Sequence, residues 1–222
     1  MRKKRVLTEL ESKELLRESG IPVVETKLAR TRSEAIAISE DLGLPVAMKI
    51  LSADVVHKSD SGGVKLNISR IEQVGGAYDE IMSAVGHHYP DAVIQGISVQ
   101  KMVPAGVEVI IGMSKDPQFG PVIMFGLGGI LVELIKDVSF RIAPVYEKDA
   151  RAMIKEIKGY PLLCGYRGQP PVAIEYLEDI ITRVSHLVEN NFSIAELDLN
   201  PVLASQDGAI AVDARIVLES AE

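Results

Sequence analysis

The chain has 222 residues, with 24 lysines and arginines against 31 aspartates and glutamates, for a formal charge of −7. That balance excludes the basic surplus of a phosphate-backbone binder, so no nucleic-acid partner is expected. With 47% apolar and 25% charged residues the composition is that of a folded chain, long enough for one large domain or two lobes.

The start, Met1-Arg2-Lys3-Lys4-Arg5, has the charge of a secretory n-region, but Thr8-Glu9-Leu10-Glu11 stands where the apolar stretch should follow. Thr8-x-x-Glu11 reads as a capping box opening a helix that carries Leu15 and Leu16 on one face and stops at Gly20 and Pro22. A strand is predicted over residues 23–29. A second capping box, Thr31-x-x-Glu34, opens a helix that ends near Gly43. Residues 45–50 read as a buried strand with one lysine, followed by the loop His57-Lys-Ser-Asp-Ser-Gly-Gly63 and an alternating strand over 64–68. Residues 71–89 read as a helix weakened by Gly75-Gly76. Strands are predicted over 97–103, 107–113, 122–125 and 139–145, then a helix over 149–158 and a loop over 160–171. A long amphipathic helix over 172–190 follows, then two strands, 194–203 and 209–217, joined by a turn at Ser205-Gln-Asp-Gly208. The longest uncharged run, residues 117–132, is 16 residues long and glycine-rich, too short for a membrane span. The lone Cys164 rules out an internal disulfide and fits a reducing cytoplasm. Helices mixed with hairpin-like strand pairs predict an α+β fold with largely antiparallel sheets, divided near residues 100–105.

Several residues could carry chemistry. Lys49 either faces solvent or, if buried, must meet an anion. In the loop after it, Lys58 with Gly62 and Gly63 could cradle phosphate, although the Walker A spacing is missing and an ordinary turn fits as well. Strand alternation puts Glu196, Asp198 and Asn200 on one face, and Asp213 is expected on the neighbouring strand. Asp198, Asn200 and Asp213 could converge as oxygen ligands for Mg²⁺ held together with nucleotide phosphates, or line a solvated face. Among the four histidines, His87, His88 and His186 fall on helices, whereas His57 opens the loop, where an imidazole can be a nucleophile or be inert.

Taken together, Pro45-Val-Ala-Met-Lys49-Ile, His57-Lys-Ser-Asp-Ser-Gly-Gly-Val64, Phe125-Gly-Leu-Gly-Gly129, Lys136-Asp-Val-Ser-Phe-Arg141 and Asp198-Leu-Asn-Pro201 resemble the ATP-grasp fold. More narrowly, they resemble the beta subunit of ADP-forming acetyl-CoA (acyl-CoA) synthetase, over roughly residues 8–219. The resemblance implies one ATP-grasp domain whose two lobes, residues 21–100 and 101–222, hold ATP or ADP between them, with helix 8–19 packed on the second lobe. It implies that Lys49 meets the α- and β-phosphates, and that Lys58, Gly62 and Gly63 close over them. The backbone of Lys101 and Met102 would meet the adenine edge, with Gln100 before them in the nucleotide site, and Glu108 would lie near the base or ribose, with Arg141 near a phosphate. Asn200 and Asp213 would hold Mg²⁺, His57 would be the phosphorylated histidine, and Asp198 would orient it. No G-x-G-x-x-G dinucleotide fingerprint is present, so CoA chemistry would need a CoA-binding alpha subunit as partner. A stand-alone carboxylate–amine ligase and a non-catalytic nucleotide-binding module are the competing expectations.

Overall fold

A computed structural model describes residues 4–52, 54–55, 58, 60–129 and 136–219. The chain opens with a short strand, β1 (Lys4–Val6), which the sequence reading lacked, and the helix α1 (Glu9–Glu18). Helix α1 begins after Thr8, as the capping box predicts. Packing divides the chain into two units. One comprises Thr8–Leu10 and Val24–Val103; the other comprises Glu11–Val23 and the chain from Pro104 on, together with β1.

The smaller unit holds β2 (Thr26–Ala29), α2 (Arg32–Leu42), β3 (Val46–Leu51), β4 (Val64–Ile68), α3 (Ile71–His88) and β5 (Gly96–Lys101). Its sheet runs β2-β5-β3-β4, and every pairing is antiparallel. Strand β3 is central and all six of its residues are buried, Lys49 included. By strand alternation Val46, Met48 and Ile50 point to one face, where they join Val74, Ile81 and Val85 of α3 in the core. Ala47 and Lys49 take the other face.

Strand β2 is shorter than predicted, because Val23 forms only an isolated bridge to Ala211. Gly75-Gly76 does not break α3. The Arg32 guanidinium lies against the bare backbone of Gly75. The predicted cap of α2 is present: Thr31 Oγ1 accepts the Glu34 N–H at 3.1 Å. The Glu34 carboxylate reaches past Thr31 and accepts the Arg30 N–H at 2.7 Å. Thr31→Ala is expected to cost about 1 kcal/mol, a drop of roughly 2–4 °C in Tm, readable by calorimetry.

The larger unit continues with β6 (Val107–Asp116), β7 (Gly120–Leu127), β8 (Val138–Ile142), α4 (Glu147–Glu156), α5 (Tyr160–Leu163) and α6 (Ile174–Asn190). It ends with β9 (Ile194–Ala204), β10 (Ala209–Ala211) and β11 (Ala214–Glu219). Its sheet runs β1-β11-β9-β6-β7-β8, with β10 also paired to β9, and all ladders are antiparallel. One face is apolar. Val109, Ile111 and Met113 of β6, Ile123 and Phe125 of β7, and Leu197 and Leu199 of β9 pack with Ile154 of α4 and with Leu177, Ile181 and Val184 of α6. The alternate positions of β9, Glu196, Asp198 and Asn200, therefore lie on the face opposite the helices.

Two predictions need correction here. Tyr160–Leu163 is a short helix within the expected loop, closed by a bond from the Cys164 N–H to the Tyr160 carbonyl. The last expected strand is two strands, with Val212 and Asp213 in the break between them. Among the described residues, no helix is long and apolar enough to cross a membrane.

Candidate functional site

In the smaller unit the buried lysine has found its anion. Lys49 Nζ lies 3.4 Å from Glu9 Oε1, and Lys58 Nζ lies 3.5 Å from Glu9 Oε2. The Lys49 and Glu9 side chains are 8% and 2% exposed, so the solvent-facing reading of Lys49 does not hold. Two ammoniums, one buried and one part-exposed, face one buried carboxylate, and both contacts are longer than a tight charge-assisted hydrogen bond. The sequence reading missed Glu9, having assigned that turn to helix capping. Its signal was a helix stripe at i, i+3, i+4 and i+7 (Glu9, Ser12, Lys13 and Leu16), which is buried yet mostly polar.

The loop beside these lysines folds onto itself. The Lys58 carbonyl accepts the Gly63 N–H at 2.7 Å and the Ser61 hydroxyl at 3.0 Å, and the Gly63 carbonyl accepts the Ile50 N–H at 2.8 Å. Gly62 has φ 71°, a left-handed conformation that favours glycine. A Cβ on Gly63 would meet Ile50 Cγ2 at 2.8 Å, so the turn seats directly against β3. His57 lies outside the described residues. At the end of β5, Gln100 is buried and its Oε1 lies 3.4 Å from Thr26 Oγ1, while Lys101 is exposed. Met102 donates its N–H to the Pro45 carbonyl at 2.9 Å.

In the larger unit, β9 switches partners at Asn200-Pro201. Residues up to Leu199 pair with β11, Leu199 opposite Ala214, and residues from Val202 pair with β10, Val202 opposite Ala211. The two residues at the switch thus stand against the two in the break, Val212 and Asp213, and the Val212 N–H donates to the Pro201 carbonyl at 2.9 Å. This register puts Asn200 opposite Asp213, at cross-strand distance. Asp213 is held by its own turn, its Oδ1 accepting the Ala214 N–H at 2.8 Å.

Asp198 sits two positions along the same face, between Gly112 of β6 and Arg215 of β11. Burial pushes its carboxyl above the usual value; Arg215 pulls the other way, and the Asp213 charge adds to the rise. Glu196 behaves differently. The Lys4 ammonium at 2.7 Å, joined by Arg215 at 3.3 Å, holds its carboxyl low, a structural ion pair. Among the described residues there is no group of three or more His, Cys, Asp and Glu that could hold a metal. Asp198, Asn200 and Asp213 nonetheless lie along the same stretch of the sheet, where β9 changes partner.

Glu108 is exposed on β6 and its carbonyl accepts the Gly128 N–H at 2.7 Å. Gly129 has φ 64°, a left-handed conformation that favours glycine. Arg141 pairs with Glu156 of α4 at 2.6 Å and donates to the Phe140 carbonyl at 2.7 Å. Its guanidinium is thereby engaged on β8.

An ATP-grasp domain model matches residues 1–218, so the chain belongs to the ATP-grasp family. Within it, the chain belongs with the beta subunits of ADP-forming acetate–CoA ligases. It is 52% identical over 214 residues to the acetate–CoA ligase [ADP-forming] I subunit beta of Pyrococcus furiosus, covering 96% of this chain and 92% of that one. It is 49% identical over 199 residues to the acetate–CoA ligase [ADP-forming] I of Archaeoglobus fulgidus, covering 90% of this chain but 29% of that protein. The structure of Ca. Korarchaeum cryptofilum dinucleotide-forming acetyl-coenzyme A synthetase 1 with coenzyme A, Ca-AMPCP and HgCl⁺ superposes with a TM-score of 0.95. The identity is 51%, covering 97% of this chain and 94% of that one. A second structure of that protein, with coenzyme A and Mg-AMPPCP and its phosphohistidine segment pointing towards the nucleotide site, gives a TM-score of 0.86 at 48% identity, covering 96% and 93%.

Proposed function

We propose that this chain is the nucleotide-handling subunit of an ADP-forming acyl-CoA synthetase, active with a CoA-binding alpha subunit. The net reaction is acyl-CoA + ADP + Pi giving acid + ATP + CoA. The observation that carries the reading is the 52% identity to a beta subunit over 92% of its length. The Archaeoglobus relative, of which this chain matches 29%, supports a partner that supplies the remaining machinery. The same matches speak against a stand-alone carboxylate–amine ligase and against a non-catalytic module.

In this reading the alpha subunit delivers a phosphoryl group on a histidine. That P–N bond breaks as His57 takes the group; the P–N bond on His57 then breaks as a β-phosphate oxygen of ADP bonds to phosphorus. Lys49 and Lys58 meet the phosphates, and Gly62 and Gly63 give the turn its close approach. Gln100, Lys101 and Met102 border the base. With its N–H already given to Pro45, Met102 offers a carbonyl acceptor, suited to an exocyclic amine. Glu108 lies by the base or ribose. Asn200 and Asp213 would hold Mg²⁺, which supplies charge neutralisation to the phosphates. Asp198 holds the histidine in place. Arg141, already paired with Glu156, would reach a phosphate only by exchanging that partner.

The test is reconstitution with a CoA-binding alpha subunit. The purified chain should bind Mg-ADP alone and turn over acetyl-CoA only in the mixture. His57→Ala should lower turnover at least about 100-fold while leaving Mg-ADP binding within about threefold. Acid-labile phosphate found on wild type after incubation with ATP should be absent from the variant. Full turnover by His57→Ala would refute the relay.

A further inference from the structure

Glu9 is an acid built into the lysine cluster, and the phosphoryl chemistry above gives it no task. It is the first residue of α1, where the helix dipole favours an anion. Its carboxylate bridges ammoniums from two separate elements, Lys49 on β3 and Lys58 in the following turn, at 3.4 and 3.5 Å. Both contacts to Glu9 are longer than a tight charge-assisted hydrogen bond, and the Lys58 side chain keeps 23% of its surface exposed. A carboxylate so placed gathers the two ammoniums where an incoming phosphate would also seek them.

We propose that Glu9 is a positioning residue, a resident counter-anion that occupies the phosphate-binding lysines in the empty protein and competes with the nucleotide for them. This rests on the nucleotide reading of Lys49 and Lys58. Two consequences pull in opposite directions. In the empty protein Glu9 stabilises the buried Lys49 ammonium and the part-exposed Lys58 ammonium beside it. In the complex its negative charge opposes the incoming phosphates, which weakens binding and speeds release. A residue that only held the fold together would stabilise both states alike, and its loss would never improve binding.

Glu9→Gln keeps the shape and removes the charge. By calorimetric titration of the full chain with Mg-ADP, we expect about tenfold tighter binding than wild type, with a lower Tm for the empty protein and a larger Tm rise on adding Mg-ADP. Unchanged or weaker binding would overturn the proposal. Should Glu9→Gln not fold, Glu9→Ala serves: it too removes the charge and should bind Mg-ADP more tightly than wild type, with equal or weaker binding counting against the proposal. If wild type and variant alike bind no Mg-ADP, the nucleotide reading itself fails and this inference falls with it.

Discussion

Replacing Lys49 with methionine should abolish nucleotide binding and lower stability, and a second substitution should separate the two losses. Methionine matches the length of the lysine stem and packs in an apolar setting, so Lys49→Met removes the charge without opening a large void. The buried Glu9 carboxylate then faces one ammonium fewer. Breaking a buried ion pair from one side costs about 3–5 kcal/mol, and because Lys58 still lies 3.5 Å from Glu9 the lower end is expected. For a chain of this size about 3 kcal/mol corresponds to a fall of roughly 6–12 °C in Tm. Mg-ADP affinity should fall at least about 100-fold, since a buried charge-assisted contact to phosphate is lost. The double variant Lys49→Met, Glu9→Gln should regain stability to within about 1 kcal/mol of wild type, because the Glu9 carboxylate is no longer stranded and Lys58, 23% exposed, can turn to water, yet still fail to bind. A double variant as unstable as the single one would show that Lys49 and Glu9 are not coupled.

The parts of this protein that could be read from sequence are those where one local rule decides. Thr31 and Glu34 fixed the start of α2, and the alternation Glu196, Leu197, Asp198, Leu199, Asn200 fixed which face of β9 is polar. The parts that could not be read are set by partners far away in the chain. The basic residues of Lys4–Val6 carry no strand signal, yet they form a strand because residues 217–219 pair with them. Asp213 was expected inside a strand, and it falls in a break because β9 changes partner opposite it. The anion for Lys49 lies 40 positions earlier, on a helix whose capping signal drew attention to Thr8 and Glu11 instead. A polar stripe at helical spacing is the trace such a residue leaves in sequence, since a buried polar face implies charges that meet something.

Asp198 offers the sharper test of the acidic face, because its chemistry and its contribution to stability have opposite signs. Burial raises its carboxyl above the ordinary value of 3.8, so the folded protein holds this proton more tightly than the unfolded chain does. Its contribution to folding is therefore most favourable below 3.8 and declines as pH rises from there through the raised folded value. At neutral pH the full penalty of a buried charge remains. Asp198→Asn removes that penalty with little change in shape. The variant should melt higher than wild type at pH 7, and its advantage should shrink steadily on acidification towards pH 4. In the assembled enzyme the same change should lower turnover by roughly 10²–10⁴-fold, because an amide cannot hold a histidine through an ionic hydrogen bond. A variant that melts lower than wild type at pH 7, or whose advantage does not depend on pH, would show that burial of this carboxylate is not a cost to the fold. Increased stability with lost turnover would mark Asp198 as an acid whose charge serves the reaction and opposes folding.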